Sequence, residues 1–256
     1  MKHFLFLCFV LTALMLSNAT YAQKKQKPFE GTITYDVNYT GENASVSPVM
    51  VAMMPTTYIY KAKGNKVYCE FIMMGGAAAT STIIYDGDAK KMYTIMKMMD
   101  TAIAVVFTYE ESQKYSDSIY KNDPKSSFKK LNDTKIIAGY TCKNGLYTHP
   151  KMDSLHSMIT DTVWYNEELY SPAMKLLPSA ETNQMAPGLV AETVTYMQIP
   201  SLKKQISLKL TQRLKKVKKE KIPDSIFEIP KGVKIMTMKE VKEMNKKDSK
   251  KDEDKK

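Results

Sequence analysis

The stretch Gly64 to Met98, GNKVYCEFIMMGGAAATSTIIYDGDAKKMYTIMKM, constrains this chain more than any other. Val67, Cys69, Phe71 and Met73 fall on one face of an extended segment, and Lys66 and Glu70 fall on the other. That period of two is the mark of a half-buried strand. A turn is expected at Asp86-Gly87-Asp88, where glycine accepts positive φ and aspartate can bond its own backbone. The stretch therefore predicts two or three neighbouring antiparallel strands with one apolar face that something must cover.

The first residues read as a targeting signal. Lys2 and His3 precede the apolar run Phe4 to Leu16, and Thr20 and Ala22 supply small residues before Gln23. The run is short for a membrane span and ends in polar Ser17-Asn18. Residues 1–22 are thus expected to be a signal peptide, residues 23–237 a single domain, and residues 238–256 a disordered charged tail. No Pro/Gly/Ser linker divides the middle.

Net charge is +11, and much of the excess is local: Lys203 to Lys221 holds nine basic residues against the single acid Glu220. Export argues against nucleic acid as the partner of this run. An anionic membrane surface is the functional partner it suits, through Lys203, Lys204, Lys209, Arg213, Lys215 and Lys216. The plainer reading is a solvated strand edge, where lysines prevent pairing with other sheets. After the leader only Cys69 and Cys142 remain. Both fall on the inward faces of their expected strands, which permits either a disulfide or a pair of buried thiols.

Phe29 to Tyr39 gives the cleanest alternation, with Phe29, Ile33, Tyr35, Val37 and Tyr39 on one face. Ser47-Pro48 can start a short apolar helix over Val49 to Met54, and Ser171-Pro172 a second over Ala173 to Leu177. Ala102 to Tyr109 fits either a strand or a buried helix. Phe128 to Leu131 and Lys135 to Thr148 read as a hairpin about Asn132-Asp133, placing Ile136, Ala138, Tyr140 and Cys142 on one side. Leu155 to Tyr165, Leu189 to Gln198, Ile206 to Thr211 and Val233 to Met236 complete the count. The expected fold is mainly β, an open half-barrel of about ten antiparallel strands with two or three short lid helices.

Signals for catalysis are thin. His149, Asp153 and His156 match no zinc spacing, no serine sits in a Gly-x-Ser-x-Gly elbow, and no glycine-rich phosphate loop is present. A non-enzymatic role without cofactor follows as the expectation. Methionine is the unusual feature, with 19 in the chain. A thioether site for Cu(I), with Met50 and Met53 spaced by three, is one reading. An adaptable apolar pocket is another, because an unbranched polarizable side chain repacks around varied ligands. Its expected lining is Met50, Met53, Met54, Phe71, Met73, Met96 and Tyr140. A solid structural β-domain acting through its basic surface is the third.

The ordered marks FEGTITY, GNKVYCEF, IIYDGDAKKMY, KIIAGYTCKNGLY, VWYNEEL, APGLVAE and SIFEIPKGVKIM resemble an uncharacterised exported family of Gram-negative bacteria. That family is known as domain of unknown function 4412. It is similar to the carriers and receptors of bacterial lipoprotein localisation, and the likeness covers roughly Phe29 to Ile235. The resemblance implies an open half-barrel whose helices lid an apolar cavity, in the periplasm or cell envelope. It also implies a lipid or other hydrophobic ligand. The carriers have a basic arginine in the cavity near the second strand; here the only arginine, Arg213, comes late in the lysine-rich run, and within Thr56 to Lys61 only Lys61 itself could fill that role.

Overall fold

The structure, a computed structural model, describes residues 28–41, 54–73, 79–98, 101–111, 114, 126–148, 160–169, 172, 174, 185–200, 205–241 and 243–244. The expected leader, the first lid helix up to residue 53 with Met50 and Met53, and most of the second lid helix lie outside these residues. So do Lys203 and Lys204.

Twelve strands form one open sheet. They are β1 (Gly31–Gly41), β2 (Pro55–Lys63), β3 (Lys66–Met73), β4 (Ala79–Asp86), β5 (Lys91–Met98), β6 (Thr101–Thr108), β7 (Ser127–Ile137), β8 (Tyr140–Thr148), β9 (Thr160–Asn166), β10 (Leu189–Pro200), β11 (Gln205–Lys219) and β12 (Lys234–Thr237). Their order across the sheet is β12-β6-β5-β4-β3-β2-β1-β11-β10-β9-β8-β7. Two antiparallel meanders, β1 to β6 and β7 to β11, are thus fused through an antiparallel β1–β11 pair. The short β12 adds in parallel beside β6. Ala102 to Tyr109 is resolved as a strand, β6.

β1 shows why these residues form strands. Ile33, Tyr35 and Val37 are buried while Thr32, Thr34 and Asp36 between them are only partly covered, so one face carries the core and the other meets polar surroundings. The sheet is not flat. The Tyr35 hydroxyl donates to the Val190 carbonyl at 2.7 Å, although β11 lies between β1 and β10. Strands two places apart are separated by about 9.6 Å in a flat sheet. The start of β10 must therefore arch over the face that carries Tyr35. A bulge between Val190 and Glu192 supplies the bend. One cluster consequently joins Tyr35, Tyr60, Cys69 and Tyr85 from one meander to Ile137, Cys142, Leu189 and Ala191 from the other.

Three expectations are corrected by the tertiary structure. The lysine-rich run is no edge: β11 sits inside the sheet between β1 and β10. Its basic side chains are tolerated there because one face is solvated and acids lie nearby. Lys215 meets Asp36 at 3.0 Å, Arg213 meets Glu192 at 3.3 Å, and Lys218 pairs with Glu220. The β7–β8 turn falls at Ala138-Gly139, both with positive φ (49 and 83), whereas Asn132-Asp133 sits in a bulge between Lys130 and Thr134. Asn and Asp suit either setting, because both accept irregular backbone. Here Asn144 holds the bulge, accepting from the Asp133 amide at 3.1 Å and donating to its carboxylate at 3.0 Å. Ile136 is therefore 71% exposed instead of facing inward with Cys142.

Gly87 is needed for a different reason than positive φ. A Cβ there would lie 2.6 Å from the Asn65 carbonyl oxygen, which accepts the Gly87 amide at 2.9 Å. The rest of that turn is held by Asp86, whose Oδ1 accepts from the amides of Asp88 and Ala89, both at 3.0 Å.

The chain from β11 to β12 crosses the opposite face of the first meander as a strap. The Ile222 amide donates to Glu30 at 2.9 Å, Thr32 Oγ1 to Glu220 at 2.7 Å, and Lys63 to Asp224 at 2.8 Å. Beyond a 3₁₀ turn at Asp224–Phe227, Ile222 and Phe227 pack with Ile84, Ile95 and Ala104. After β12, Thr237 and Glu240 form a capping box, the Thr237 amide donating to the carboxylate at 2.6 Å and the Glu240 amide to Thr237 Oγ1 at 3.3 Å. Residues 238–241 of the expected tail are accordingly helical, and residues 245–256 lie outside the described part.

Candidate functional site

Ladder register places side chains in rows across the face that carries Tyr35. Tyr35 stands opposite Tyr58, Tyr58 opposite Phe71, Phe71 opposite Ser81, Ser81 opposite Met96, and Met96 opposite Ile103. The neighbouring row runs Ile33, Tyr60, Cys69, Ile83, Thr94 and Val105. Burial grades along the strands. Ala62, Val67, Cys69 and Tyr60 are closed off from solvent, whereas Tyr58, Phe71, Met73 and Ser81 are only partly covered and Met96 is 47% exposed.

Edge-to-face rings connect the sealed end to the open end. Tyr35 meets Tyr60 at 5.6 Å and 88°, Tyr60 meets Tyr58 at 6.3 Å and 76°, and Tyr58 meets Phe71 at 5.0 Å and 81°. Such tilted pairs suit the ring quadrupoles and fix the side chains that border the open end.

Burial governs the electrostatics of this face. It pushes the Tyr39 hydroxyl up to about 12 and raises Tyr58 further, with Tyr39 and Cys69 adding smaller contributions. Tyr35 and Tyr60 are raised for the same leading reason, and the Cys69 thiol is pushed up by burial as well. The sign of the linkage follows. Unfolded tyrosines ionise near pH 10 while these do not, so the stability they contribute is complete below that pH and falls as pH climbs above it. We expect unfolding by circular dichroism to begin above about pH 10 and to coincide with a cooperative phenolate signal near 295 nm. Tyrosines titrating independently, with the strands intact, would contradict this account of the face.

Of the residues expected to line a pocket, Phe71 and Met96 share one row, and Met73 lies at the end of β3 opposite Pro55, next to half-buried Met54. Tyr140 comes from the other meander and packs on the main cluster. The structure thus brings Phe71, Met73 and Met96 onto one face. Tyr58 and Ile103 belong to the same surface and lie outside the expected lining. The alternation of Thr56 to Lys61 carried the signal for Tyr58. Cys69 and Cys142 are both buried free cysteines, and Cys142 Sγ donates to the Tyr140 carbonyl at 3.4 Å.

The basic residues occupy another surface. Arg213 and Lys215 are engaged by acids as above, Lys209 lies 5.9 Å from the Tyr196 ring centroid, and Lys216 is exposed. Among the described residues no group of three or more His, Cys, Asp or Glu side chains is placed to hold a metal ion. None of their helices is long and apolar enough to cross a membrane.

These features define a mainly β protein with an open, half-barrel-like sheet and a partly exposed aromatic and methionine face. The chain belongs to the family described as Domain of unknown function (DUF4412), whose model matches residues 51–233. No curated protein matches it.

Proposed function

We propose that this is a non-enzymatic protein of the Gram-negative periplasm or envelope, exported by residues 1–22, that binds a lipid or other hydrophobic ligand in a half-barrel cavity. The observation that carries this reading is the Tyr58–Phe71–Ser81–Met96–Ile103 row. It is apolar but for the hydroxyls of Tyr58 and Ser81, partly open, and lies on the face towards which the sheet bends. Apolar side chains ordered at a strand ladder yet left wet gain about 1.5–3 kcal/mol each when fully covered. A few such contacts suffice for useful affinity. The adaptable thioethers of Met73 and Met96 suit an acyl chain of no fixed conformation. The leader supports export, and likeness to lipoprotein carriers supports lipid over other apolar cargo. Lys209, Arg213, Lys215 and Lys216 would bring the protein to anionic headgroups, more weakly than their number suggests because Arg213 and Lys215 already have acidic partners.

Native extraction followed by lipid mass spectrometry tests the proposal directly. The wild type should carry a stoichiometric lipid. Met96→Asp, at a position with little to lose on folding, should lower affinity for it about tenfold and leave the thermal midpoint nearly unchanged. A protein that leaves the cell empty and takes up no lipid afterwards would rule the proposal out.

A further inference from the structure

An oxidant meets this protein first at its exposed thioethers. Cys69 and Cys142 are both buried, and burial pushes both thiols up, so the thiolate that reacts with peroxide is scarce. A thioether reacts without ionising, so access to solvent ranks the methionines. Met174 and Met236 are 2% and 5% exposed. Met92 is half-buried against the main cluster. Four residues on, along the same face of β5, Met96 is 47% exposed. The ladder holds it between Ser81 and Ile103, inside the partly open row. Met185 and Met244 are comparably exposed, but neither belongs to a strand of the sheet. Met96 thus combines reach for a small oxidant with a place that a ligand on the row would cover.

We infer that Met96 is a reversible oxidation site that sets the affinity of the aromatic row for its ligand, an inference that rests on the lipid-binding proposal above. The oxidant is a peroxide, and the step moves two electrons. The Met96 sulfur attacks one peroxide oxygen, the O–O bond breaks as the S–O bond forms, and the other oxygen leaves as water after a proton shift. The sulfoxide so formed is polar and a strong acceptor. In the empty protein it stays hydrated on the exposed side of Met96, so the fold is little affected. A ligand lying along the row must strip that water, and an acyl chain carries no donor to replace it. Protection runs the other way too: a bound chain covers the sulfur and slows its oxidation. A methionine sulfoxide reductase, drawing two electrons from a dithiol that becomes a disulfide, removes the oxygen as water and restores the apolar row.

Hydrogen peroxide treatment, followed by peptide mass spectrometry and titration with a dansylated undecanoate, provides the test. Met92 and Met96 share one tryptic peptide, residues 92–97, and its fragment masses separate them. Oxygen should appear on Met96 well before Met92, and saturating probe should slow the reaction at Met96 while leaving Met244 unaffected. Oxidised wild type should bind the probe about tenfold more weakly at a nearly unchanged thermal midpoint. Reductases for both sulfoxide epimers, with dithiothreitol, should restore the affinity. Met96→Leu should bind like the reduced wild type and ignore peroxide, although Met185 and Met244 still oxidise. Met96→Gln, polar from the start, should bind as weakly as the oxidised protein. Oxidised Met96 with undiminished affinity overturns the inference, as does an equal loss in Met96→Leu or oxidation of Met96 no faster than Met92. Reduced wild type that takes up no probe fails the lipid-binding proposal itself and takes this inference with it, whereas binding that oxidation does not move fails the inference alone.

Discussion

Replacing Tyr35 by alanine is expected to destabilise the protein by about 3–5 kcal/mol, the range for deleting a large buried ring. Tyr35 is 1% exposed and belongs to the cluster that both meanders share. Its ring meets Tyr60, and its hydroxyl reaches the Val190 carbonyl across the intervening β11. That bond ties strands that are not neighbours in this sheet, so the loss should act on the bend as well as on packing. Tyr35→Phe separates the two contributions. It keeps the ring and removes one buried hydrogen bond, and should cost about 1 kcal/mol. Urea denaturation of both variants measures the difference, and near-ultraviolet circular dichroism reports whether the aromatic row stays ordered. A phenylalanine variant as damaged as the alanine one would mean that the hydroxyl, not the ring, sets the fold.

Gly31→Ala should be comparably severe, more than about 3 kcal/mol, at the upper end for a single substitution. Gly31 opens β1 with φ of 153°, and an added Cβ would stand 2.1 Å from the Lys218 carbonyl oxygen and 2.8 Å from the Phe29 ring. The carbonyl belongs to β11, so relief requires parting the β1–β11 pair that fuses the two meanders. Gly139→Ala is the matched control. Gly139 also has positive φ, at 83°, but nothing lies within 4 Å of a Cβ there, so only backbone strain of about 1–2 kcal/mol applies. Thermal unfolding of the pair should therefore differ widely. Similar midpoints would show that β1 can shift locally and that the central ladder is softer than its geometry implies.

Much of the candidate face was legible beforehand because side-chain direction in a strand is a local property. The alternation of Val67, Cys69, Phe71 and Met73 needs no knowledge of neighbours, and the same holds for Ile33, Tyr35 and Val37. Phe71, Met73 and Met96 accordingly lie on one face, as their spacing implies. Local reading failed where two backbone solutions suit the same residues. Asn132-Asp133 fits a turn or a bulge, and Ala138-Gly139 is a weaker turn signal that nonetheless holds the positive φ values.

By itself the sequence determined which segments extend, which side of each is apolar, and that the total is mainly β. Only tertiary structure decided which strands are neighbours. Backbone hydrogen bonds pair any two strands alike, so nothing local tells that β11 joins β1 and thereby puts the lysine run inside the sheet. The strap comes from the same source. Ile226 and Val233 read as ordinary apolar residues until the chain carries them past β1 to β5, where the bonds at Glu30, Thr32 and Lys63 bring them to pack against the cluster of Ile84 and Ile95. Contacts between residues so far apart along the chain are chosen by the closure of the whole fold, and no short window of residues contains them.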